Sequence, residues 1–359
     1  MPEEQVGAES TGSCPRKRGP ECLIPRPLRG QGRAAPAMPP PPAVQLLKRL
    51  VHVGAPRILL RIVWLLCQAV GCEQTRDCVE TFAGHRAVTL AMRRSGLQAS
   101  SFEVDCEKHA HGHGVHCNWL SAHGFLHALT LAMSLRDGGQ STNAPVCSSW
   151  TWINRSTSQR SVGKPLGAAS ERQSVAEGNE MVARLMLYVF CLAARGAWWV
   201  VEQPAQSLLE KHPRVQAWCA TRLLWRVPIR MGEFGAETET PTWLYSAHWW
   251  ARDVTRYRTR WWGCGDGVVQ LTHVSQKQDG SLAVTGMAAL KESQQYPSGF
   301  GEAMAAVYLE RREELRATAA ELNLAAEAAV IPADLWSTSA GEDEWEDAGA
   351  HTLLQYLLQ

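Results

Sequence analysis

Apolar and polar positions alternate along the chain in blocks that switch between strand and helix lengths. An apolar run over residues 58–70, interrupted by Arg61, reads as a helix packed on a core and is too short to span a bilayer. Residues 78–82 predict a short strand that runs into Ala83 and Gly84. Val88, Ala91, Met92 and Ser95 follow at helical spacing, and Gly96 stops that helix. Residues 97–104 predict a second strand. An amphipathic helix is expected over 124–135, closed by Gly138 and Gly139, with a third strand running into Ala144, Pro145, Val146 and Cys147. Residues 148–174 form a polar, basic loop whose length signals function or disorder. Met181, Leu185, Val189 and Leu192 share one face of a helix over 181–194. The wholly apolar strand 197–201 that follows suits a buried parallel sheet. A helix over 207–222, broken near Pro213, strands at 224–230 and 242–247, and an Ala- and Glu-rich helix over 300–329 complete the pattern.

Strand, helix, strand, helix in this order predicts an α/β fold. The sheet is doubly wound and mostly parallel, with helices on both faces. Three segments are expected: a disordered Pro-, Gly- and Arg-rich stretch over 1–55, a folded domain over 56–330, and an acidic tail over 331–359.

Composition narrows the picture in a few places. A formal charge of +1 excludes a strongly polycationic protein but leaves room for a local basic patch. The 11 cysteines are odd in number and form no CxxC pair, so reduced thiols in an intracellular setting, nuclear or cytoplasmic, fit better than a disulfide framework or a zinc module. No secretory signal is read at the start, and no membrane partner is expected. Arg16, Lys17 and Arg18 resemble a short nuclear address.

In a parallel sheet, ligands sit beyond the carboxyl ends of the strands. The residues just after each expected strand are therefore the ones that matter. Glycine in the turn Glu80-Thr81-Phe82-Ala83-Gly84 lets a ligand approach the backbone closely. Glu103, nineteen residues after Gly84, is placed to accept hydrogen bonds from ribose hydroxyls, with Asp105 close behind. Cys147 stands in a Pro-fixed turn as a candidate nucleophile or, alternatively, a small buried hydrophobe. Glu202 ends an all-apolar strand, where desolvation would raise its pKa and suit it to hold a proton. It reads equally as a cap or edge residue.

Taken in order, these segments resemble the catalytic domain of cytosine-5 DNA methyltransferases. The family's acidic-Phe-Ala/Ser-Gly motif is matched by residues 80–84, and its acidic ribose ligand by Glu103. Its Gly-Pro-Pro-Cys-Gln motif is matched by Ala144-Pro145-Val146-Cys147-Ser148, and its Glu-Asn-Val motif by Glu202-Gln203-Pro204. The resemblance covers roughly 78–247 and extends toward a last motif around 296–301. It implies a Rossmann-like methyltransferase fold and S-adenosylmethionine as cofactor, held by Phe82, Ala83, Gly84, Glu103, Asp105 and Asn118. It further implies attack by Cys147 on carbon 6 of a cytosine, while Glu202 holds or protonates nitrogen 3. The base would leave its stack or be single-stranded.

Departures from the family are specific. His85 and Arg86 follow Gly84 where more glycine is usual. Asn118 stands for an acidic adenine contact, and Ser148 for the glutamine after the nucleophile. Glu237, Thr238, Glu239 and Thr240 occupy the place of two base-gripping arginines. Two rival readings therefore stand beside a base methyltransferase: an inactive methyltransferase fold that binds nucleic acid or protein, and a methyltransferase with another acceptor. Two further features invite attention. His109, His111, His113 and His116 lie between Cys106 and Cys117, a composition that reads as a metal site or as a polar loop. Trp249, Trp250, Arg252, Arg256, Tyr257, Arg258, Arg260, Trp261 and Trp262 read as a single-strand DNA or RNA surface or as a folded strand.

Overall fold

A computed structural model describes residues 41–104, 117–259, 272–276, 278, 280, 282–286, 294–333, 335 and 343–358. The first forty residues, Asp105, the histidine-rich stretch, Arg260, Trp261 and Trp262 lie outside the described residues.

Six strands form the main sheet: β1 Arg76–Thr81, β2 Ala99–Phe102, β3 Leu135–Asn143, β4 Trp198–Pro204, β5 Trp225–Arg230 and β6 Pro241–Ser246. Their spatial order is β2-β1-β3-β4-β6-β5. The first four run parallel, and β6 is antiparallel to both of its neighbours. A separate antiparallel hairpin joins β7 Thr272–Gln276 to β8 Leu282–Gly286. The fold is thus α/β with a mixed, mostly parallel sheet, as the block pattern predicts.

Helices cover both faces. On one side lie α1 Pro41–His52, α2 Arg57–Val70, α4 Ala122–Met133, α6 Gln173–Ala194, α7 Pro213–Thr221 and α9 Ala350–Leu358. They share a core with Val79, Trp199 and Val201 of the sheet. The single turn α5 Arg155–Ser158 sits in the loop before α6. On the other side, α3 Ala87–Arg94, α8 Ser298–Ala326 and the 3-10 helix Trp249–Tyr257 pack on Cys78, Trp198 and Val200. Strand β4 explains its own composition. Successive side chains point to opposite faces, so Trp198 and Val200 enter one core while Trp199 and Val201 enter the other.

Both ends of the chain depart from expectation. Within the segment expected to be disordered, α1 places Ala43, Leu46, Leu47 and Leu50 in the core, each with no exposed surface. Those positions have helical spacing, but the proline run at Pro39, Pro40, Pro41 and Pro42 masks it. Proline is tolerated in the first helical turn, where its missing N–H has no partner to lose. Nor is the stretch from residue 331 onward simply an acidic tail. Trp345, Leu353 and Leu354 are buried against α2, α4 and α6.

The third strand also starts earlier than expected. β3 covers Leu135–Asn143, so Ala144, Pro145, Val146 and Cys147 form the turn after it. Gly138 and Gly139 do not close a helix but lie inside β3, where the pairing with β1 shifts register between Arg76 and Cys78. Gly138 has φ of 71°, and a Cβ there would come within 2.8 Å of the α8 backbone at Leu315 and Arg316. Polar side chains hid the strand, yet they are satisfied inside it. The Cys78 thiol donates to Gln140 Oε1 at 2.8 Å, and Gln140 Nε2 donates to Thr142 Oγ1 at 2.6 Å.

Candidate active site

From β1 the chain steps outward to β2 and then crosses back over β1 to reach β3. That reversal puts a topological switch point between β1 and β3, where α/β sheets bind ligands at the carboxyl ends of the strands. Thr81 pairs in register with Phe102 and Asn143, and Asn143 with Val201, so the residues that follow all four strands gather on one edge. The edge is braced by a buried polar chain. Thr81 Oγ1 donates to Asn143 Oδ1 at 2.7 Å, and Asn143 Nδ2 donates to the Val200 carbonyl at 3.0 Å.

The turn after β1 is tightly wound. Phe82, Gly84 and Arg86 have φ of 55°, 46° and 61°, left-handed values that cost a non-glycine residue about 1–2 kcal/mol. Its two ends are held firmly enough to keep that conformation. Buried Glu80 accepts hydrogen bonds from Val88 N at 3.3 Å, Thr89 N at 2.7 Å and the Thr89 hydroxyl at 2.6 Å, an internal clamp on the start of α3. Burial pushes the Glu80 carboxyl up, and the Thr89 and Val88 hydrogen bonds oppose that push. Ala83, itself buried, donates its N–H to the Phe102 carbonyl at 3.3 Å.

Gly84 N donates to Glu103 Oε2 at 2.9 Å, joining the ends of β1 and β2 directly. Among the described residues, its own chain neighbours aside, no atom lies within 4 Å of where a Gly84 Cβ would stand. The Phe82 ring packs on Trp119 with centroids 4.7 Å apart, and Trp119 contacts Phe102 at 5.9 Å. Asn118 sits beside this aromatic wall. Its side-chain oxygen accepts the Leu120 N–H at 3.0 Å and its carbonyl accepts the Ser121 hydroxyl at 2.9 Å, so it shapes the turn that starts α4.

Cys147 and Glu202 lie within electrostatic reach of each other on the other half of the edge. Both are half-buried. Burial pushes the Cys147 thiol up to about 12, with the nearby Glu202 carboxylate adding to the effect. Burial likewise pushes Glu202 up to about 7, against hydrogen bonds from Tyr296 and Thr242 that pull it down. Tyr296, just before α8, donates its hydroxyl to Glu202 Oε2 at 3.3 Å and lies close enough to Glu80 and Cys147 for both to influence its ionisation. Gln203, fully buried next to Glu202, donates to the Pro145 carbonyl at 2.7 Å and accepts the Ser207 hydroxyl at 2.8 Å. It ties the strand that carries Glu202 to the turn that carries Cys147.

Sequence reasoning flagged the segment around Tyr296 but not the tyrosine itself, and it missed Gln203, Thr242, Trp119 and Arg160. Gln203 stood inside the Glu-Asn-Val match. Arg160 had no sequence signal, because an arginine in a polar loop reads as solvated. The described part of the aromatic and basic segment, residues 249–258, is largely consumed by packing and ion pairs. Trp250 is buried against Trp198 with centroids 5.0 Å apart, Arg258 pairs with Glu233 at 2.9 Å, and Arg256 pairs with Glu310. Within that segment, Trp249 and Arg252 are exposed and stack on each other at 4.7 Å. Among the described residues, no group of three or more His, Cys, Asp or Glu side chains is placed to hold a metal, and no helix is long and apolar enough to cross a membrane.

Comparison with protein families, with characterised proteins and with solved structures finds no match for the chain.

Proposed function

We propose that the chain is an S-adenosylmethionine-dependent methyltransferase of Rossmann-like fold acting on a nucleic-acid base, with carbon 5 of cytosine as the methylated position. The observation that carries this reading is the Tyr296–Glu202 hydrogen bond, with Cys147 within electrostatic reach of both, on the same strand-end edge as Gly84 and Glu103. The residues of the second half fit the cofactor. Glu103 offers a carboxylate to ribose hydroxyls, the open space over Gly84 admits a ligand against the backbone, and Phe82 with Trp119 offers an apolar wall. The Asn118 oxygen is taken by its own turn, which leaves the side-chain amide as the group suited to face adenine. When bound, the cofactor supplies an electrophilic methyl group on a sulfonium.

The chain's own residues then divide the work. The Cys147 thiol gives its proton to solvent and the thiolate sulfur bonds to carbon 6, and carbon 5 becomes nucleophilic as Glu202, in its acid form, hydrogen-bonds nitrogen 3. A carboxyl near 7 is matched to that task at neutral pH. The two ionisations are coupled in a useful direction. A neutral Glu202 removes one of the two influences that hold the Cys147 thiol protonated. After methyl transfer the carbon 5 proton leaves to solvent and the carbon–sulfur bond breaks, returning the thiolate.

A second reading, an inactive fold that binds nucleic acid or protein, is favoured by the segment after Ala236. Glu239 pairs with Arg230 at 3.0 Å and Thr238 hydrogen-bonds Thr240 at 2.7 Å, with no arginine presented where the resembling family grips its base. A methyltransferase with another acceptor is the third reading. The deciding experiment incubates the protein with labelled S-adenosylmethionine and a 5-fluorocytosine oligonucleotide. The first reading expects a covalent adduct that Cys147→Ser abolishes. Binding of S-adenosylhomocysteine without any adduct, on DNA or RNA, leaves another acceptor. Neither binding nor adduct leaves the inactive fold.

A further inference from the structure

Arg160 lies in the long polar loop after Cys147, yet it is only 2% exposed. All five of its guanidinium N–H groups have acceptors. Nε donates to the Ser149 carbonyl at 2.9 Å. Nη1 donates to the Pro165 carbonyl at 2.6 Å and to Asn179 Oδ1 at 2.7 Å. Nη2 donates to the Ser149 hydroxyl at 3.1 Å and to the Val175 carbonyl at 3.1 Å. Its plane lies 3.4 Å from the centroid of the Trp150 ring. Each of these acceptors is neutral, and burial lowers the Arg160 pKa to about 10. Burying a cation costs several kcal/mol. A loop that only needed to close against α6 would be served by an apolar residue of similar volume.

We propose that Arg160 is a positioning residue that fixes the turn bearing Cys147, so that the thiol stays at the strand-end edge near Glu202. This rests on reading Cys147 as the nucleophile. The turn is held on both sides of the cysteine. Before it, the Pro145 carbonyl is bound by Gln203; after it, both polar atoms of Ser149 that accept hydrogen bonds are bound by Arg160, and the Trp150 carbonyl accepts Leu208 N at 3.0 Å. The guanidinium draws loop residues 149 and 165 and the first turns of α6 to one point, which needs its rigid planar fork of donors. Gly178 allows this approach, since a Cβ there would stand 2.5 Å from the Ser149 hydroxyl oxygen and 3.2 Å from Arg160 Nη2.

The test compares the full-length wild type with Arg160→Lys, Arg160→Met and Gly178→Ala under native labelling with N-ethylmaleimide, followed cysteine by cysteine with peptide mass spectrometry. Cys78 and Cys191 are fully buried on opposite faces of the sheet and report any general opening. Arg160→Met is expected to raise Cys147 labelling at least tenfold relative to Cys78 and Cys191. Arg160→Lys and Gly178→Ala are expected to raise it several-fold. A rise shared by all three cysteines makes Arg160 a general stabiliser and overturns the proposal, as does no rise at all. If Arg160→Met fails to fold, the other two variants decide by the same criteria. The adduct assay on the wild type reports separately on the methyltransferase reading. A wild type that forms no adduct removes that reading, whereas the labelling pattern still decides whether Arg160 holds the thiol in place.

Discussion

Tyr296 and Glu202 are 94 residues apart in sequence, and the tyrosine hydroxyl donates to the carboxyl at 3.3 Å, within electrostatic reach of Cys147. The contact makes α8 part of the site. The Tyr296 ring packs on Phe300 at 4.8 Å, and Phe300 is fully buried in the core beside α3. Tyr296 thus reaches the strand ends from a helix anchored on the opposite face from α6. A base that uses the Glu202 carboxyl must share it with Tyr296 or displace the hydroxyl.

The contact has a measurable pH signature. Glu202 titrates near 7 rather than 4.5, so its raised folded value favours the acid form. Its contribution to stability is fully present below 4.5, where both states are protonated. It falls between 4.5 and 7, as the unfolded chain releases the proton and the folded chain keeps it. Urea melts at several pH values should show this fall in the wild type and not in Glu202→Gln. The difference should amount to about 1–2 kcal/mol once the partial exposure of Glu202 to solvent is allowed for. Tyr296→Phe removes a hydrogen bond that pulls Glu202 down, so the carboxyl midpoint, followed by carbon-13 NMR, should move upward from about 7. A midpoint that stays put or drops would show that the hydroxyl does not govern the carboxyl.

The thiol should respond to the carboxyl as well. Because the Glu202 carboxylate adds to the push on Cys147, Glu202→Gln should speed alkylation of Cys147 at pH 8 by severalfold while leaving exposed Cys219 unchanged. Equal rates in wild type and variant would separate the two residues.

On the cofactor side, Glu103→Ala removes the carboxylate that Gly84 N now contacts. Affinity for S-adenosylhomocysteine is expected to fall by about 1–3 kcal/mol, the range for losing a buried or charge-assisted hydrogen bond. Calorimetry on a variant with unchanged melting behaviour is the measurement; unaltered affinity would remove Glu103 from the binding residues.

The amino end offers a stability test. Arg49 of α1 is 2% exposed and pairs with Asp137 through both of its terminal nitrogens, at 2.7 Å and 2.6 Å. The same guanidinium donates to the Ala194 carbonyl and to Asn323. Arg49→Met leaves Asp137 without its bidentate partner and should destabilise the fold by about 3–5 kcal/mol, the range for breaking a buried pair. Denaturant melts that change by less than about 1 kcal/mol would place α1 outside the cooperative unit.

Sequence patterns located β1, β2 and β4 to within a few residues because a glycine turn adjoins each, Gly84 after β1, Gly96 before β2 and Gly196 before β4. They located α6 because its core-facing residues repeat at helical spacing. Glu103 and Glu202 were legible as candidates because each stands at the carboxyl end of an expected strand, and Cys147 because of the Pro-fixed turn that carries it. Three parts were not legible. α1 was hidden by the prolines that begin it. β3 was expected, but its true extent, Leu135–Asn143, was hidden because its buried residues are polar and satisfy one another, which no hydropathy pattern records. Arg160 and Tyr296 were hidden because their roles depend on partners brought together by the fold, 11 to 19 residues away for the side-chain partners of Arg160 and 94 for Tyr296.

Strand β3 carries hydrogen-bonding side chains on both of its faces. Gln140 and Thr142 serve the α3 side with Cys78, while Ser141 and Asn143 serve the α6 side with Thr81. An apolar strand slipped by one residue still finds greasy neighbours, so its misalignment is penalised weakly. Slipping β3 by one residue would exchange its two faces and strand four polar groups away from their mates at once. The strand therefore proofreads its own alignment during assembly. Because Ala144 to Cys147 follow it directly, an error in that alignment would displace the thiol before any loop could correct it.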